Sequence, residues 1–265
     1  MKSAFLYIIF FYKGTASDCP YNWAILSIGL CAIRIIFIMR GGNVMKAKSS
    51  QYLEICLVFI AELIVVMIAP LLVSLAESNP TKMLMKYLLY VLMVGVVIMA
   101  CRMKKKPVFS VLGFSKTHIS KQLLIAIPVF AVTVFLFVIV PLLLGVEKTS
   151  WLGSKNINLS SAILYVIQYM LFVGPGEEII FRGYLLERIH DMTGSGIKAV
   201  IISSVLFGVW HFPVGQDFLQ VLLTTLIGMT YGFARLKLNN CTTLSVGIAH
   251  GLHDTFILFL GRILL

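Results

Sequence analysis

Charge is what this chain has least of. Only 12% of its 265 residues are Asp, Glu, Lys or Arg, while 59% are hydrophobic and the mean hydropathy is +0.96. A soluble globular domain carries about a quarter of its residues charged, so that class is excluded. The five cysteines (Cys19, Cys31, Cys56, Cys101, Cys241) stand far apart, four of them in or beside apolar runs, and no CxxC pair occurs. That spacing argues against a disulfide framework or a thiolate metal site and for small, buried, apolar side chains. There is no HExxH helix, no internal repeat, no low-complexity tract, and no loop long enough to hold an extramembrane domain. The net charge of +11 does not indicate a nucleic-acid partner, because the basic residues are scattered over short loops instead of gathered on one face.

What the chain does have is long apolar runs. Seven stand out: Tyr52 to Ala76, Met85 to Cys101, Gln122 to Val146, Ser160 to about Phe181, Ile197 to Phe212, Phe218 to Ala234 and Thr242 to about Ile263. Each meets the length needed to cross a hydrocarbon core of about 30 Å as a tilted or slightly short helix. Trp23 to Met39 is an eighth candidate, interrupted by Arg34, whereas Ala4 to Tyr12 behind Lys2 is too short to span. The expected fold is an all-α polytopic membrane protein, a bundle of seven or eight transmembrane helices around an intramembrane polar cavity. Residues 1–44 read as a poorly specified N-terminal extension with one candidate span, and residues 45–265 as the transmembrane helical domain. Met45 is a candidate natural start, because the codons of Arg40-Gly41-Gly42 can spell a purine-rich ribosome-binding site just upstream.

Loops 40–51, 102–121, 182–198 and 235–240 hold fourteen Lys or Arg, and the alternate loops 77–86, 147–159 and 213–217 hold four. The positive-inside rule puts the first group in the cytoplasm. Pro70, Pro128 and Pro141 fall inside apolar runs, where they are expected to kink helices. Glu54 is expected to reach water at the cytoplasmic end of its run. Glu62 lies deeper and is expected either to have a structural partner or to line a cavity.

Three sets of polar residues break the apolar pattern. Glu177, Glu178 and Arg182 follow Gly174-Pro175-Gly176; Phe207 and His211 close the run that begins at Ile197; His250, His253 and Asp254 lie inside the last one. A charge at membrane depth costs several kcal/mol unless it is paired or solvated, so such groups are seldom incidental. On a helix Glu178 and Arg182 share a face and can pair, which leaves Glu177, about 100° away, free for chemistry. If that helix continues through Tyr184 to His190 and reverses at Thr193-Gly194-Ser195-Gly196, Glu177 and His211 come to equal height on two antiparallel helices. Glu177 could then deprotonate a water that His211 orients, and His250 with Asp254 could stabilise the oxyanion formed when an amide carbonyl is attacked. Two other readings remain open. The Gly-Pro-Gly could break a helix at a transporter's binding site, or the chain could be a silent membrane scaffold or immunity protein.

In order and context, Glu177-Glu178-x-x-x-Arg182, Phe207-x-x-x-His211 and His250-x-x-x-Asp254 resemble the three motifs of the CAAX protease and bacteriocin-processing family, also called CPBP or Abi, of intramembrane proteases. The resemblance spans about residues 105–260, with Leu112-Gly113-Phe114 similar to the stretch that usually precedes the family's core helices. It implies an intramembrane endopeptidase with Glu177, His211, His250 and Asp254 as catalytic residues and Glu178, Arg182 and Phe207 in support. An ionised Asp254 would repel an oxyanion, so it is expected to be protonated or to hold His250 in orientation. The family is often classed with metalloproteases, and Glu177, His211 and His250 could supply zinc ligands; the favoured expectation is a glutamate-activated water with no required cofactor. His253 is expected to be structural. The expected partners are membrane lipid and a peptide or protein tail presented at the bilayer. The expected setting is a bacterial cell membrane, with roles such as peptide processing or bacteriocin immunity. Nothing in the sequence sets an oligomeric state.

Overall fold

The computed structural model describes residues 46–105, 107–146, 159–215 and 218–264. The candidate span Trp23 to Met39 and the proposed start at Met45 lie outside the described residues. Among those residues every regular element is a helix. They are α1 (Lys46–Ser74), α2 (Asn79–Met103), the short α3 (Val108–Val111), α4 (Ile119–Leu143), α5 (Ser161–Thr193), α6 (Gly196–Gly215), α7 (Phe218–Lys237) and α8 (Thr243–Leu264). All except α3 are long and apolar enough to cross a membrane, which makes this an integral membrane protein of the expected all-α, polytopic class.

Local chemistry sets several of the boundaries. Ser78 caps α2 through a capping box with Thr81, and Pro80 sits in the first turn, where a missing N–H costs nothing. Gly194, at φ +67°, ends α5 in the left-handed conformation that a helix C-terminus favours, and α6 starts two residues later. Two of the wide, π-type turns lie just ahead of a proline: Phe135–Ile139 before Pro141, and Gln168–Val173 before Pro175. A proline removes one N–H and crowds the preceding turn, and a widened turn absorbs that without breaking the helix. The Gly-Pro-Gly stretch is therefore not a broken segment, since Gly174–Glu178 is helical and α5 runs on through it. The sequence cue for a transporter-like break is not realised.

The glycines instead bring α5 and α8 into close contact. A Cβ on Gly174 would lie 2.5 Å from the Gly251 amide nitrogen and 2.6 Å from the Gly247 carbonyl oxygen. Small residues of this kind let membrane helices approach backbone to backbone. Gly174→Ala is expected to force the two helices apart and to cost about 1–3 kcal/mol, as overpacking generally does. A lower unfolding midpoint in detergent would record it, and an unchanged midpoint would contradict the contact.

At the end that the charge count assigns to the cytoplasm, Glu54 is not simply in water. It accepts from Tyr184 at 2.8 Å and Arg188 at 3.2 Å, with Lys104 at 3.9 Å, and so ties α1 to α5. Its height is that of a boundary residue, but three donors converge there because α5 extends well past Phe181. Arg182 also belongs inside α5, fully buried, instead of in the loop with which the charge count placed it; the cytoplasmic excess survives as thirteen against four. Arg235 joins the ends of α5, α7 and α8 by contacts to Glu187 at 2.5 Å and Thr243 at 3.3 Å. Gly113, at φ +68°, leaves room for that guanidinium, because a Cβ there would overlap it. Cys241 lies nearby between α7 and α8, and burial pushes its thiol up to about 11, so it stays protonated.

Candidate active site

Glu177, Glu178 and Arg182 follow one another on the middle of α5, and all three are buried. Glu178 Oε1 accepts from Arg182 Nη1 at 2.9 Å, one helical turn on, as the spacing requires. The same oxygen lies 3.0 Å from His250 Nδ1 on α8. The Glu178–Arg182 pair is thus more than a register-fixing ion pair, since its carboxylate also orients a histidine. A carboxylate only accepts, so Nδ1 carries the proton, and Nε2 is the ring atom turned towards Glu177 and Asp254.

Glu177 faces the other way, towards α6. Its Oε2 lies 3.7 Å from His211 Nε2 and 3.9 Å from His250 Nε2, and has no hydrogen-bond partner among the described residues although it is buried. The equal-height argument describes how this happens. Glu177 stands sixteen residues before Thr193, the end of α5, and His211 fifteen after Gly196, the start of α6. The apolar run that contains Glu177 ends near Phe181, but the helix does not. It continues as the amphipathic turns Leu186–Thr193.

His211 Nδ1 lies 2.9 Å from the Phe207 carbonyl oxygen. A carbonyl can only accept, so Nδ1 is the donor and a neutral ring presents its lone pair at Nε2. Phe207 fixes the ring from the side, edge-on to His211 with centroids 4.5 Å apart, and the Arg182 guanidinium lies 4.3 Å from the Phe207 centroid. Gly228 on α7 leaves room for that guanidinium. Asp254 Oδ2 is 3.6 Å from His250 Nε2, and its carboxyl is about one quarter exposed. Tyr231 on α7 stacks on the His250 ring at 5.2 Å.

Three buried or site-facing residues lie outside the motif set: Tyr90, Glu62 and His253. Tyr90, on α2, donates to Glu177 Oε1 at 2.8 Å, so Glu177 is not wholly free. It belongs to no motif; the only signal for it is the general requirement that a buried carboxylate find a donor. Glu62 is fully buried on the face of α1 that also carries Ile55, Phe59 and Val66, and neither carboxyl oxygen has a hydrogen-bond partner among the described residues. His253 is buried too, and neither of its ring nitrogens has a partner among the described residues.

The donor atoms do not fit a zinc as they stand. Around a tetrahedral ion with bonds of about 2.0–2.1 Å the ligand atoms are roughly 3.3 Å apart. Glu177 Oε2 is 3.7 Å and 3.9 Å from the two imidazoles, and among the described residues no three His, Cys, Asp or Glu side chains gather in a metal-holding group.

Residues 159–256 match the family model described as type II CAAX prenyl endopeptidase Rce1-like. The matched residues make up less than half of the chain. That stretch is shorter than the 105–260 over which the motifs suggested a resemblance, but it contains all seven of the motif residues. That similarity supports a CAAX-type intramembrane protease in general. No curated protein and no solved structure matches the chain. Tyr90 falls outside the matched residues, as do α1, α2 and α4.

Proposed function

We propose that this protein is an intramembrane endopeptidase that hydrolyses a peptide bond of a membrane-presented peptide or protein tail, with Glu177 and His211 activating the water. One observation carries the reading. Glu177 Oε2 and His211 Nε2 are both acceptors, 3.7 Å apart, on a buried carboxylate and a half-buried ring, and the oxygen has no protein donor among the described residues. Two acceptors at that spacing suit a water that donates one hydrogen to each and keeps a lone pair for attack.

In the reaction, Glu177 takes a proton from the water as its oxygen bonds to the carbonyl carbon. Negative charge builds on the carbonyl oxygen. With Nδ1 bonded to Glu178 and a second proton held on Nε2 between Glu177 and Asp254, His250 acts as an imidazolium whose Nε2 donates to that oxyanion. When the C–N bond breaks, the proton on Glu177 passes to the leaving nitrogen. The proposed reaction gives no step to a metal, and the spacing of Glu177 from the two imidazoles, 3.7 and 3.9 Å, supports that reading because it is wider than in a tetrahedral zinc site. A cavity walled by helices admits an extended segment more readily than a folded domain, and the surrounding lipid delivers it. Bacterial peptide processing or bacteriocin immunity would suit such a substrate.

The test is cleavage of a membrane-presented peptide library by the purified protein. Wild type is expected to give defined products, and His211→Ala to lower kcat/KM by about 100- to 10,000-fold, the usual worth of a positioned acid–base group. If wild type and His211→Ala, both folded, leave the same peptides intact, the protease reading fails in favour of the scaffold or transporter.

A further inference from the structure

The bond from Tyr90 to Glu177 reaches across from α2, outside residues 159–256, and packing on both sides holds it. Gly176, next to Glu177, faces the Tyr90 ring; a Cβ there would lie 3.1 Å from ring Cδ1, tighter than ordinary contact. One turn earlier on α2, Tyr87 stacks on Phe172 with centroids 4.4 Å apart and planes 9° from parallel, and its hydroxyl donates to the Leu164 carbonyl at 3.1 Å. That second contact fixes the register of α2 against α5, so the height of the Tyr90 hydroxyl is set independently of its own bond.

A carboxylate on a glutamate side chain has a broad, roughly two-fold terminal torsion, and its plane is set only by what it bonds to. Among the described residues Glu177 has one neutral donor, Tyr90, on Oε1 at 2.8 Å. With Oε1 held, Oε2 is left turned towards His211 Nε2 and His250 Nε2. We infer that Tyr90 is a positioning residue for the hydrolysis: its hydroxyl holds the Glu177 carboxylate so that Oε2 alone serves as the base. The inference rests on the proposed role of Glu177. Tyr90 does not touch the reacting atoms and acts through Glu177, as a support that keeps a catalytic group within a few tenths of an ångström of its productive place.

Tyr90→Phe tests it, because it keeps the ring and its packing on Gly176 and removes only the oxygen. The expected result is a kcat lower by about 10- to 100-fold, the kinetic equivalent of a lost hydrogen bond to a charged group, with KM within about twofold of wild type. The unfolding midpoint should not move. Tyr90→Leu should lose the same kcat and also lower the midpoint. A ring that served only as packing would lose nothing in Tyr90→Phe, so a wild-type kcat in that variant, or a change confined to KM, overturns the inference. If Glu177→Gln is inactive while Tyr90→Phe is fully active, the role of Tyr90 falls and that of Glu177 stands. If folded wild type cleaves nothing, both fall.

Discussion

Glu177→Gln is expected to lower kcat/KM by at least about 10,000-fold, with the protein still folded and at near-normal stability. The size follows from the roles involved: an amide cannot take the proton of the attacking water, nor return one to the leaving nitrogen, so two proton transfers are lost together. Folding should be spared because the amide keeps the shape of the carboxylate, its carbonyl can still accept from Tyr90, and a buried negative charge is removed. Glu177→Asp separates the chemistry from its placement. It retains a base but withdraws it by a methylene, and it should recover part of the activity, because displacement of about 1 Å can cost 100-fold. Initial rates on a peptide cleaved by wild type, with unfolding midpoints measured in parallel, check all three proteins.

Glu178→Leu should do the most damage to stability. It strands Arg182, which is fully buried, and removes the acceptor of His250 Nδ1. Breaking a buried ion pair from one side costs about 3–5 kcal/mol, since the remaining charge has no compensation. The double variant Glu178→Leu/Arg182→Met removes both charges and should regain most of that stability. It should not regain activity, because His250 still lacks the partner that orients it; kcat is expected to stay about 10- to 100-fold below wild type. Unfolding midpoints and initial rates for the two variants separate these effects. Recovery of both stability and activity in the double variant would reduce Glu178 to a structural partner of Arg182.

These two cases also mark how much could be read from the amino-acid order. Helix spacing is local, so the Glu178–Arg182 pair, the Phe207–His211 bond and the His250–Asp254 proximity follow from residues four apart. The hairpin extends this to Glu177 and His211, because two antiparallel helices joined by a short turn have their heights fixed by counting. Contacts between helices that are distant in sequence were not legible. Nothing in the order of residues says that Tyr90 meets Glu177, that Glu54 collects Tyr184 and Arg188, or that Glu178 serves His250 as well as Arg182. The Gly-Pro-Gly stretch misled for the same reason. Read alone it suggests a break, and only the approach of Gly247 and Gly251 reveals why the glycine at 174 is small.

Chelation tests the central claim most directly. Wild type and Glu177→Gln, each incubated with a strong divalent-metal chelator and then with added zinc, would be compared in cleavage of one membrane-presented peptide. A glutamate-activated water predicts that wild type keeps its full rate in chelator and gains nothing from zinc, while Glu177→Gln is inactive throughout. Loss of wild-type cleavage on chelation, restored by zinc, would contradict the account and make Glu177, His211 and His250 ligands of a metal.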